Sequence, residues 1–140
     1  MNACELGQRI LPFFGRILLA LIFVISGWGK ITGFAGSVAY ASSKGLPFPQ
    51  FLMPGAIVVE LGGGLLLMLG WKARWVALAI FLFVIPTTLV FHDFWAAPPE
   101  QVQMQTIQFL KNLAIMGGLL YVIAFGAGPL SVDGAKRRRY

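Results

Sequence analysis

The stretch "LPFFGRILLALIFVISGWGKITGF", residues 11–34, decides how this chain is read. Residues 11–31 are apolar apart from Arg16, Ser26, Lys30 and a few glycines. An α-helix needs roughly 20 such residues to cross about 30 Å of hydrocarbon. Three further apolar runs of comparable length follow, at 52–70, 73–91 and 107–125. The chain has 140 residues, of which 58% are hydrophobic and 11% charged. A soluble core of this size could not absorb that much apolar surface. The sequence therefore predicts an all-α integral membrane four-helix bundle in a single domain, residues 1–140, embedded in the lipid bilayer. The helices are expected over residues 11–31, 54–70, 73–92 and 107–126, with a basic tail at 131–140.

The first run is read as a retained span and not as a cleaved signal. It exceeds a usual signal core, and Lys30 with further residues separates it from the cleavage-like Ala39-Tyr40-Ala41 triplet. Lys72 and Arg74 lie between the second and third spans, and Lys136, Arg137, Arg138 and Arg139 lie in the tail, whereas residues 92–106 contain no Lys or Arg. By the positive-inside rule both termini are expected in the cytoplasm. That rule, or attraction to anionic lipid, accounts for the basic tail and for much of the +6 net charge, so no nucleic-acid partner is inferred. Cys4 is the only cysteine and is expected before the first helix; an intrachain dithiol exchange is excluded.

The connections differ in character. The first, residues 32–53, is long and carries Gly33, Gly36, Gly45, Pro47 and Pro49, which predicts turns or a short interfacial helix. Pro54 suits the first turn of the second span. The second connection, residues 70–74, is tight, with Trp71 and Trp75 at interfacial depth. Pro86 removes one backbone hydrogen bond inside the third span, predicting a kink; the hydroxyls of Thr87 and Thr88 can return part of that bond. The third connection, "HDFWAAPPEQVQMQT" at 92–106, is polar and aromatic and is expected on the outer surface.

Arg16, Ala20, Phe23, Gly27 and Lys30 recur at helical spacing on one face of the first span. A charge facing lipid is expensive, so this face should point into the bundle unless Arg16 and Lys30 snorkel to the headgroups. Glu60, six residues past Pro54, lies about 9 Å along its helix and needs a partner, a proton or a wet cavity. In the expected topology Lys30, Glu60, His92, Lys111 and Asn112 share the outer half of the membrane. Together with Arg16 they form the candidate intramembrane polar network. Arg16, Lys30 and Lys111 against Glu60 leave two surplus positive charges, which Asp93, Glu100, Asp133, a lipid phosphate, a partner subunit or an anionic ligand could offset. Gly27, Gly63, Gly64, Gly117 and Gly118 are candidates for helix packing, with Gly62–64 and Gly117–118 expected to let the second and fourth spans approach closely. Such glycines are general in membrane bundles. With His92 the only histidine, bis-histidine haem ligation within the chain is excluded. No metal-ligand spacing, nucleophile triad or nucleotide-binding loop is present, and His92 at the end of the third span suits an interfacial cap better than a catalytic base.

The segments "SGWGKITGF" (26–34), "ELGGGLLLMLGW" (60–71), "FLKNLAIMGGLL" (109–120) and "GAGPLSVD" (126–133), with Arg16, resemble the DoxX family of small four-helix bacterial inner-membrane proteins, in particular its YqjF-like branch. Their order and spacing cover nearly the whole chain. The closing motif supplies Gly126, Gly128, Ser131 and Asp133; it departs from the family pattern at Ala127, where proline usually stands, with Pro129 as a partial replacement. The resemblance implies a respiratory or redox context, because some relatives are associated with thiosulfate:quinone oxidoreductase and others with thiol-stress complexes. The expected function is a small membrane subunit, quinone- or thiol-linked, binding a quinone headgroup or small anion in the polar site. Glu60 and His92 would deliver protons while Lys30 or Lys111 stabilises reduced oxygen. The alternatives are a non-catalytic anchor or assembly subunit, partnered by other subunits or by its own copies, and a small transporter. Catalytic residues and cofactor stay open, with quinone the candidate and no haem or metal predicted.

Overall fold

In the computed structural model, which describes residues 2–137, the first helix begins well before the apolar run. Asn2 caps it: its side chain accepts from the Glu5 backbone N–H at 2.8 Å, and the Asn2 N–H donates to Glu5 Oε2 at 3.2 Å. Helix α1 consequently spans Ala3–Thr32, not 11–31. Cys4 is exposed on its first turn rather than ahead of it. Helix α2, Phe34–Ser43, occupies the first connection. The second span then starts at Pro49, so Pro54 lies inside it and not at its start. That span comprises α3, Pro49–Ile57, a π-helical turn over Val58–Gly62, and α4, Gly63–Leu69. Helices α5, Ala73–Phe91, and α6, Val102–Phe125, form the third and fourth spans, with a single 3₁₀ turn at Phe94–Ala96 between them. A short α7, Val132–Arg137, closes the described chain, and residues 138–140 of the basic tail lie outside it. The four spans are long and apolar enough to cross a membrane.

Around Pro86 the hydroxyls do not reach the carbonyl of Leu82, which the proline leaves without its usual donor. Thr87 Oγ1 donates to the carbonyls of Phe83 and Val84, and Thr88 Oγ1 to that of Val84 at 2.6 Å.

The core is a thin seam. Leu67, Ile80 and Leu119 are fully buried, joined by Ala20, Ala73 and Ala77. Outward faces carry Leu18, Trp75 and Phe125, each at least 70% exposed, as expected where lipid replaces water as the surrounding medium. Along α1 the buried residues are Arg16, Ala20, Phe23 and Gly27, the stripe that helical periodicity predicts. Glycines set the helix spacing: a Cβ on Gly27 would fall 2.6 Å from the Leu61 nitrogen, and one on Gly64 would fall 2.8 Å from Val24 Cγ2. Gly63 faces Ile80 and Gly118 faces Leu19, whereas Gly62 and Gly117 meet open space. These glycines therefore bring span one against spans two and four, and span two against span three. The expected approach of spans two and four through them is not made.

Candidate functional site

The π-helical turn is the local feature that builds the site. It inserts an extra residue per turn into the second span, and Glu60 lies at its centre with 8% of its surface exposed. Measured from the true helix start at Pro49, eleven residues away, Glu60 lies about 16 Å along the helix, deeper than a start at Pro54 would place it. Lys30 Nζ approaches Glu60 Oε2 at 2.7 Å and donates to Ser26 Oγ at 2.8 Å, while Ser26 Oγ donates to Glu60 Oε1 at 3.3 Å. Oε2 therefore holds its ion pair at close range without an aligned hydrogen bond. Ser26 lies one turn before Lys30, a spacing legible in "SGWGK".

Lys30, Glu60, His92, Lys111 and Asn112 all line one cavity of about 940 Å³. Its remaining walls are mainly apolar, with Phe23, Met53, Phe83 and Phe91 among them. Helix α2 supplies Tyr40, whose ring stacks on Phe91 at 5.6 Å between centroids. Trp28, an aromatic neighbour in sequence, is 59% exposed and absent from the lining. Asn112 donates to Thr88 Oγ1 at 2.9 Å, and His92 Nδ1 lies 3.0 Å from Gln105 Oε1. Lys111 lines the cavity with no hydrogen-bond or ion-pair partner among the described residues. No group of three His, Cys, Asp or Glu side chains that could hold a metal occurs among those residues.

Arg16 belongs elsewhere. It lies fourteen residues before Lys30, about 21 Å down the same helix. Its side chain is 3% exposed and donates to the carbonyls of Met68 at 3.1 Å, Leu130 at 3.0 Å and Ala127. It thus reads the backbone of "GAGPLSVD" and does not snorkel. Gly126 and Gly128 adopt φ of 84° and 81°, which glycine tolerates without strain. Ser131 Oγ donates to the Gly128 carbonyl at 2.6 Å, and both Asp133 carboxylate oxygens accept from the backbone of the tight turn, at Lys72 and Ala73, each at 2.9 Å. This closing motif therefore caps α5 and clasps the end of α4.

The charges pair in a pattern that residue counting does not reveal. Lys30 takes Glu60, Arg16 takes backbone carbonyls, and Asp93 pairs with Lys44 at 2.8 Å instead of serving the interior. The hydrogen bond with Asp93 raises the Lys44 ammonium above its ordinary value. The same bond lowers the Asp93 carboxyl, so the pair's contribution is complete at neutral pH and is lost as pH rises through the elevated Lys44 value or falls through the lowered Asp93 value. Lys111, an exposed residue lining the cavity, has no such partner among the described residues. Sequence reasoning misses Ser26, Thr88, Gln105 and the Lys44–Asp93 pair, because each depends on a neighbour from another segment or on a polar residue common in any loop.

Glu60→Ala would strand Lys30 beside an apolar cavity, although Lys30 keeps 25% of its side chain exposed and can partly rehydrate. A loss of about 1–3 kcal/mol is expected. Thermal unfolding in mild detergent, compared with exposed Glu100→Ala, reads this directly. Equal melting of the two variants would mean that the ion pair contributes nothing.

A family model described as DoxX matches residues 11–93. Inner membrane protein YqjF of Escherichia coli K12 is 38% identical over 84% of this chain and 85% of its own length. Inner membrane protein YphA of the same organism is 33% identical over 90% of each chain. The Surfeit locus protein 4 homolog of Schizosaccharomyces pombe is 26% identical over 88% of this chain but only 36% of its own. No solved structure matches. Four apolar spans together with these relatives make the chain a multi-pass inner-membrane protein, and it belongs to the DoxX family.

Proposed function

We propose that the chain binds an amphiphilic small molecule of the quinone-headgroup class in the cavity shared by Lys30, Glu60, His92 and Lys111, as a subunit of a quinone- or thiol-linked redox system. The observation that carries this reading is Lys111: a cation without a partner among the described residues, lining an otherwise mainly apolar cavity. Apolar walls favour a ring or chain, and the exposed, unpaired Lys111 ammonium favours an oxygen acceptor or anion at one end. Phe23, Phe91 and Tyr40 offer aromatic surface for a ring. If reduction occurs there, Glu60 and His92 are the groups able to pass protons, and a partner protein supplies the electrons.

Equilibrium binding to purified protein tests the reading, with a soluble quinone analogue and thiosulfate as probes. Wild type is expected to bind one of them, and Lys111→Gln to bind it roughly tenfold or more weakly, the scale of a lost charge-assisted hydrogen bond. Glu60→Gln should also alter binding, by releasing Lys30. If wild type binds neither probe, or both variants bind as tightly as wild type, the ligand reading fails. An anchor or assembly subunit then takes its place, a role favoured by the way Ser26, Lys30 and Glu60 already satisfy one another.

The same proposal puts both termini and the Lys72–Arg74 turn in the cytoplasm, on the distribution of Lys and Arg. A C-terminal reporter should be active only on the cytoplasmic side. Periplasmic activity would reverse the orientation.

A further inference from the structure

We propose that the opposite end of the bundle carries a second site, for the phosphate of an anionic headgroup. A cavity of about 610 Å³ lies between the Lys72–Trp75 turn and the closing segment, lined by Lys72, Arg74 and Lys136 as cations and by Trp75 and Phe125 as aromatics. Its one acidic residue, Asp133, can offset one of those three charges at most, and both its oxygens already accept from the backbone N–H groups of Lys72 and Ala73. Arg74 and Lys136 have no hydrogen-bond or ion-pair partner among the described residues, and Lys72 has only the face of Trp71, 5.5 Å from the ring centroid. Arg74 is also positioned: its Nε lies 3.4 Å from where a Cβ on Gly126 would sit, so the glycine with φ of 84° leaves room for the guanidinium against the turn. Three cations converge on a concave surface whose carboxylate is already engaged.

The chemistry that answers such a site is a phosphate diester or monoester, which a guanidinium and two ammonium groups can share. Trp75 and Phe125 are 73% and 74% exposed beside it, at the helix ends where indole and apolar surface meet the headgroup layer. Acyl chains could run along these rings while the phosphate enters the cavity. The same phosphate could arrive on a lipid or on a soluble ester.

Thermal unfolding of the purified full chain in a neutral detergent tests this, with phosphatidylglycerol, phosphatidylcholine and glycerol 3-phosphate added separately. Binding to the folded state raises the melting temperature with ligand concentration. Phosphatidylglycerol should raise it more than phosphatidylcholine, and the Arg74→Gln/Lys136→Gln variant should need roughly tenfold or more of that lipid for the same rise. Glu60→Gln, in the other cavity, should respond as wild type does, which separates this result from the fate of the quinone-class reading. Stabilisation by glycerol 3-phosphate at comparable concentration supports the site with a soluble ester as its ligand; no response to that ester supports a lipid. Equal effects of the two lipids with none from the ester would overturn the proposal, as would an unchanged response in Arg74→Gln/Lys136→Gln. A loss as large in Arg138→Gln/Arg139→Gln would show diffuse attraction to the tail and would overturn it too.

Discussion

Arg16→Ala should destabilise the folded protein by about 3–5 kcal/mol, the scale for removing one member of a buried ionic network. The reason lies in what the guanidinium holds. Its three acceptors, the carbonyls of Met68, Ala127 and Leu130, belong to the last turn of α4 and to the irregular segment after α6. Helix ends leave carbonyls without intrahelical donors, and in a membrane protein no bulk water replaces a lost donor at a buried end. Removing Arg16 thus orphans these acceptors together. Arg16→Lys should recover only part of the loss, since an ammonium lacks the planar fork that reaches divergent carbonyls. Thermal or denaturant unfolding in detergent provides the readout, with proteolysis after residue 126 as a local one. A lysine variant as stable as wild type would show that charge alone suffices; an unaltered alanine variant would refute the clasp.

Gly27→Val should be comparably damaging, for a steric reason. The nearest atoms to an added Cβ are the Leu61 backbone nitrogen at 2.6 Å and Cβ at 2.7 Å, both fixed to the second span. No side-chain rotation relieves that contact, so spans one and two must separate. Overpacking of this kind costs about 1–3 kcal/mol or more, and Gly27→Ala should lie at the lower end. Leu61 adjoins Glu60 and Gly27 precedes Lys30 by one turn, so the separation should also stretch the Lys30–Glu60 ion pair. Gly29→Ala is the control, because nothing lies within 4 Å of its Cβ position; it should be neutral or gain up to about 1 kcal/mol from helix propensity. If Gly27→Ala and Gly29→Ala melt together, the close approach of spans one and two is not rigid.

The polar cavity is partly legible in the residue order. Depth along a helix is a matter of counting, so spacing and topology assign Lys30, Glu60, His92, Lys111 and Asn112 to one level. Periodicity also draws Arg16 into the same network because it shares a helix face with Lys30, yet a shared face says nothing about the distance along the axis. Pro54 is a misleading marker for the start of the second span, because proline is tolerated inside membrane-spanning helices as well as in their first turn. The π-helical turn at Val58–Gly62 leaves no periodic mark in so uniformly apolar a segment.

By itself, the sequence determined the four spans and the inward stripe Arg16, Ala20, Phe23 and Gly27, because both follow from the cost of exposing polar groups to lipid and from 3.6-residue periodicity. Those are properties of a single segment. Only tertiary structure decided which charge meets which partner: Arg16 with carbonyls 52, 111 and 114 residues away, Glu60 with Lys30, and Lys111 with none among the described residues. Helices satisfy their own backbone bonds, so the acceptors left for a buried cation are those at chain ends and turns, and their positions are set only when the helices pack.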